Sequence, residues 1–159
     1  MTDGIFYVLV LLAILGTACM AGMFFAFSVF VMRGLDRLPS STGIAAMQSI
    51  NAAVGTPLFG LAFAGTALLC LVLAVSSLVM LGDDGAPLVL VGSVLYLAGG
   101  LALTVRYHIP RNNRLMKVDP TGAGSEDWWR RYVSEWTTWN HARTLASLAA
   151  VGLFAIALT

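Results

Sequence analysis

Most of the side chains in this sequence that could do chemistry in an apolar setting fall in one string, Trp136-Thr-Thr-Trp139-Asn140-His141-Ala-Arg143, directly before the last apolar run, Thr144–Leu158. A charged side chain at a bilayer centre costs roughly 2.5–3.5 kcal/mol, and less near the interface. An Asn, a His and an Arg entering a membrane helix therefore persist where they pair, bind something or react. Trp129, Val133, Trp136, Asn140, Arg143 and Ser147 recur at helical spacing and share one face. Only two histidines occur, His108 and His141. As a pair they are candidate axial ligands of a haem, which supplies its own four nitrogens, with Arg106, Arg111 or Arg143 to meet the propionates and Gln48 in the same cofactor shell. They are equally candidates for copper or iron, for a general base, or for plain hydrogen bonds to helix carbonyls. Arg106 can also snorkel to the headgroups.

What the chain lacks narrows the chemistry. No Asp or Glu lies within an apolar run, and Glu135 is the nearest. That argues against a carboxylate-bridged di-iron site and against a proton-coupled exporter, which carries an intramembrane acid. There is no Ser-His-Asp set, no HExxH and no phosphate loop. Cys19 and Cys70 belong to no CxxC pair and read as small buried hydrophobes.

The elements that must position these groups are membrane helices. Of 159 residues, 58% are hydrophobic and 11% charged, with a mean hydropathy of +0.85; a soluble domain averages about 25% charged. The apolar runs predict an all-α, antiparallel bundle of four transmembrane helices in a single domain over 1–159. The helices are placed at 5–32, 44–81 with a candidate kink near 55–57, 87–109, and 126–158 with an interfacial tryptophan-rich start. The first run is too long for a signal peptide, lacks a basic flank, and is expected to stay as a helix. Ser40-Ser41-Thr42 and Ser125 read as N-caps, and Pro110 is expected to stop the third helix near Ile109. Ala18, Gly22 and Ala26 form a small-residue stripe suited to a homo-oligomer contact. With four crossings, all nine Lys and Arg fall on or near one side and none on the other. The positive-inside rule then puts the basic loops in the cytoplasm and both termini outside.

This topology brings polar groups from every helix to one depth: Ser28; Gln48 and Asn51; His108, Asn112 and Asn113; and Trp136, Asn140, His141 and Arg143. A polar-aromatic pocket at the cytoplasmic membrane face is expected, with Phe24, Phe25, Phe27 and Phe30 as a candidate wall. The plainer readings are core packing for the phenylalanines, an aromatic belt for the tryptophans, and interhelical hydrogen bonds for Gln48 and Asn51.

The motifs Gly22-Met-Phe-Phe-Ala-Phe-Ser28-Val-Phe-Val-Met32, Met47-Gln48-Ser-Ile-Asn51, Pro110-Arg-Asn-Asn113-Arg-Leu and Trp136-Thr-Thr-Trp-Asn140-His-Ala-Arg143 resemble the DUF1772 family, small four-helix membrane proteins also labelled anthrone oxygenase-like. The resemblance implies Asn51, Asn113, Trp136, Asn140 and Arg143 as the recurring polar positions. It also implies oxygenase or oxidase chemistry on a flat apolar substrate such as an anthrone or phenol. An alternative is a non-enzymatic module that binds haem, quinone or lipid, or serves as a partner subunit; a multidrug-type exporter is the weakest reading. The expected partners are the bilayer and a small apolar aromatic molecule, with no nucleic acid.

Overall fold

A computed structural model describes residues 4–159, and every regular element among them is helical. Five helices follow in order: α1 Gly4–Asp36, α2 Ser40–Ala53, α3 Pro57–Val79, α4 Ala86–Leu115 and α5 Ser125–Ala157. Three of them, α1, α3 and α4, are long and apolar enough to cross a membrane. The fourth expected span, in α5, is not of that kind. Its first half carries Glu126, Asp127, Arg130, Arg131 and Glu135, and Arg143 sits at the start of its apolar stretch.

Several predicted boundaries move. The segment placed at 44–81 is two helices. The chain leaves helical geometry at Val54–Thr56, Thr56 turns extended (φ −87°, ψ 148°), and its hydroxyl accepts from the Phe59 N–H at 3.3 Å, so Pro57 opens a new helix. Pro39, not a Ser or Thr, caps α2. Gly124 in the left-handed region (φ 79°) precedes α5, and Ser125 instead donates to the Pro120 carbonyl. Helix α4 does not stop at Ile109 but runs to Leu115. Wide π-helical turns occupy Tyr96–Ala102 and Thr104–His108, where the Ile109 N–H bonds the Thr104 carbonyl. The wider turn gives the Pro110 ring room that a regular α-turn denies, so the helix passes through it.

The four long helices close a ring in which α1 packs on α3 and α5, and α4 packs on α3 and α5. Gly92 lies against Ala150 and the Phe154 ring, and Gly99 against Ala146. Numbers rise along one helix as they fall along the other, so α4 and α5 are antiparallel, with backbones close enough that a Cβ at Gly92 would sit 2.8 Å from Phe154.

Two cores stack along this ring. The first, with Val10, Phe24, Leu73, Val89, Tyr96 and Phe154, fills the apolar part of the bundle. The second, with Met32, Leu35, Ile44, Met47, Leu115, Trp129, Tyr132 and Trp136, joins the ends of α1 and α4 to α2 and the start of α5. At 1.5 Å per residue α1 and α5 are about 50 Å long against ~30 Å of hydrocarbon. Both exceed that thickness, and the basic residues Arg33, Arg111, Arg114, Arg130 and Arg131 lie along the chain beside the second core.

Candidate functional site

Between the two cores lies a cavity of about 550 Å³, within the usual range for small-molecule sites. Its wall is apolar and aromatic: Met23, Phe24 and Phe27 from α1, Met47 and Ile50 from α2, Phe59 and Phe63 from α3, and Trp136 from α5. The non-helical Val54–Thr56 forms part of its rim. Asn51, Thr104, His108, Asn112, Asn113 and Arg143 supply the polar groups. Three of the four wide turns, at Phe27–Val31, Leu61–Gly65 and Thr104–His108, each give it a lining residue, as such turns often do at functional sites.

Arg143 is 5% exposed. One guanidinium nitrogen donates to the Thr104 hydroxyl at 2.9 Å and another to Asn140 Oδ1 at 2.6 Å, while Nε has no partner. Its carbon stands 4.2 Å from the Phe24 ring centre and 5.4 Å from that of Trp136. No carboxylate pairs with it; the ion pairs among the described residues are Arg111–Glu135, Arg130–Glu126 and Arg130–Asp127. Burying a cation costs on the order of several kcal/mol unless it is compensated. Here hydrogen bonds and two aromatic faces offset part of that cost, and no counter-charge is supplied.

Asn140 fixes the arginine from behind. It is fully buried, and its Nδ2 donates to the Phe24 carbonyl and the Ser28 hydroxyl, both at 2.7 Å, so its oxygen must face Arg143. Asn140 positions and does not line the cavity. His108 is 1% exposed and does line it. Its Nδ1 lies 3.3 Å from the Leu103 carbonyl. A carbonyl can only accept, so Nδ1 carries the proton and Nε2, buried and unpartnered, holds the lone pair. Trp136 packs edge-on to that imidazole at 5.0 Å and donates its indole N–H to Asn112 Oδ1 at 3.0 Å.

The predicted residues thus divide. Asn51, His108, Trp136 and Arg143 share the cavity, and Asn51 Nδ2 is buried without a partner. Asn113 also lines it but from the exposed rim. Gln48, expected in a cofactor shell, instead donates to the carbonyls of Leu115 and Val118, both at 2.9 Å, and ties α2 to the end of α4. Arg106 is exposed and outside the cavity. His141 is exposed and lines a separate cavity of about 330 Å³ with Ser28, Arg33, Asp36 and Thr137. Two residues apart on a helix means nearly opposite faces, so His141 points away from Arg143. The expected pairing of His108 with His141 around one haem or metal ion therefore does not fit. Nor do three or more His, Cys, Asp or Glu cluster anywhere among the described residues.

Thr104 was not among the sequence candidates for the site, and Asn112 was placed only at the common depth, without a role of its own. Both lie one turn from His108, at 104, 108 and 112, a spacing visible only if the helix continues past Pro110.

Comparison with curated proteins gives no match, and comparison with solved structures gives none. The family model described as anthrone oxygenase matches residues 53–153, well over half of the chain, including His108, Asn112, Trp136, Asn140 and Arg143 but neither α1 nor Asn51. On that match, the chain belongs to the anthrone oxygenase family.

Proposed function

We propose that this membrane oxygenase-like protein takes a flat, apolar carbon or oxygen acid into the cavity, stabilises its anion on Arg143, and directs O₂ to the resulting carbanion. Buried Arg143, facing an aromatic cavity with no acidic partner, is the observation that carries this reading. An anthrone illustrates the chemistry. His108 Nε2 takes a proton from the methylene carbon, and the electron pair moves onto the ketone oxygen, where the guanidinium and the neighbouring amide donors hold it. One electron passes from the enolate to O₂, and the two radicals combine at that carbon. The hydroperoxide takes its proton back from His108 and loses water to give the quinone. Anthrone plus O₂ becomes anthraquinone plus water, so the step balances with O₂ as the sole oxidant. The Phe and Trp wall lowers the dielectric around the guanidinium, which strengthens the arginine's pull on the forming oxyanion.

The same reading places four helices across the bilayer, with the basic second core in the cytoplasm, both termini outside, and the cavity at the cytoplasmic membrane face. Substrate then enters from the lipid or its interface, where an apolar aromatic concentrates.

The test is oxygen uptake with purified protein in nanodiscs, anthrone as substrate and no added metal or cofactor, compared with empty nanodiscs. Anthraquinone should form with one O₂ consumed per anthrone, well above autoxidation, and Arg143→Gln should abolish the excess. Rates equal to those of empty nanodiscs would overturn the reading.

A further inference from the structure

Asn112, which lines the cavity, is held by a small hydrogen-bond network between α4 and α5. Asn112 Oδ1 accepts from two donors at once, the Tyr132 hydroxyl at 2.9 Å and the Trp136 indole N–H at 3.0 Å. The indole N–H can only donate, so it fixes the amide with its oxygen toward Trp136, and the Tyr132 hydroxyl, which could serve either way, then donates to the same oxygen. Tyr132 and Trp136 are themselves buried in the second core, so the amide is held rigidly. Its nitrogen is the free end, at a residue that lines the cavity. Asn113, one position on, sits at the exposed rim and makes no such network.

We propose that Asn112 is the specificity-determining donor of this cavity: its Nδ2–H bonds a carbonyl or enolate oxygen of the ligand, and so selects oxygenated polycyclic aromatics over hydrocarbons of the same shape. This rests on the anion-accepting reading of the cavity given above. A site built to hydrogen-bond an oxygen rejects an analogue lacking it, because its donor is then left unpaired.

The experiment uses full-length protein in nanodiscs with two probes, 9,10-anthraquinone and anthracene. Affinity is read by tryptophan fluorescence quenching, and the anthraquinone carbonyl stretch by infrared difference spectroscopy. Wild type should bind anthraquinone at least about tenfold tighter than anthracene, with a red-shifted carbonyl band relative to probe in empty nanodiscs. Asn112→Asp keeps an acceptor for Tyr132 and Trp136 but turns the donor into a second carboxylate oxygen. It should lose about tenfold or more for anthraquinone, lose part of the band shift, and leave anthracene unchanged. Tyr132→Phe, which leaves Asn112 in place but frees half of its anchor, should weaken anthraquinone by a smaller factor. If Asn112→Asp binds anthraquinone as tightly as wild type and with the same band shift, the assignment is overturned while the Arg143 reading stands; if wild type binds it with an unshifted carbonyl, both are overturned. If wild type binds neither probe, both fall.

Discussion

Arg143 is the residue on which the chemistry turns, and its neighbours let a structural role be told apart from a functional one. If the guanidinium serves only to tie α5 to α4 through Thr104, a carboxylate beside it should help, since it would compensate a buried charge. If it serves to hold an anion, the same carboxylate should disable it. Asn140→Asp makes that change at the 2.6 Å contact with little change of shape. We expect turnover of anthrone to fall by about 10²–10³-fold, the order seen when an oxyanion donor is removed; because the second carboxylate oxygen also loses the bond that Nδ2 gives the Phe24 carbonyl, turnover and not the melting temperature is the readout. Unchanged turnover in folded protein would make Arg143 structural. His108→Gln should behave differently: it removes the lone pair at Nε2 and keeps a polar side chain of similar reach, so kcat should drop about 10²–10⁴-fold with anthraquinone affinity nearly unchanged. A matching loss of affinity would place His108 in binding and not in proton transfer.

At the scale of the elements, α2 is held in place by a close approach that tolerates no side chain. A Cβ on Gly43 would lie 2.9 Å from the Leu35 carbonyl and 2.9 Å from the Trp129 ring. Gly43→Ala should therefore cost about 1–3 kcal/mol and lower the melting temperature. Gly22→Ala, where nothing lies within 4 Å, should not; equal melting of the two variants would contradict the packing described. The sequence made much of this arrangement readable, and its failures have physical causes. Apolar runs located α1, α3 and α4 because lipid demands unbroken hydrophobic length. The polar residues pointed to a common depth because apolar runs read as antiparallel crossings bring one end of each helix together, and the acids lying outside those runs left Arg143 without a counter-charge. The reach of α4 was missed because Pro110 breaks an α-turn but not the wider turn that precedes it here. With that register lost, nothing tied Asn112 to the face of His108, and Asn113, named through the family resemblance, alone received a role. His108 and His141 looked like a pair because depth was inferred from sequence while direction around α5 was not.

For the molecule as a whole, α5 falls short of a membrane span by composition, and the proposed topology has it cross. Trp129, near its start, shares a core with Met32 and Leu35 at one end of α1, and Phe154, near its finish, shares a core with Phe6 and Val10 at the other. Running alongside a helix long and apolar enough to span, α5 is expected to cross with it on the proposed topology. In its second half the polar Asn140, Arg143 and Ser147 are turned inward, and the exposed charges of α5 lie in its first half. Single cysteines at Gly82, Lys117 and Thr159 decide the matter with a membrane-impermeant maleimide, because Cys19 and Cys70 lie in the spanning segments where a charged reagent does not reach. Gly82→Cys and Thr159→Cys should label in intact cells, and Lys117→Cys only after permeabilisation. Thr159→Cys labelling with Lys117→Cys would remove the fourth crossing. A full inversion of the pattern would instead keep four helices and move the basic core, with its cavity, to the outer face.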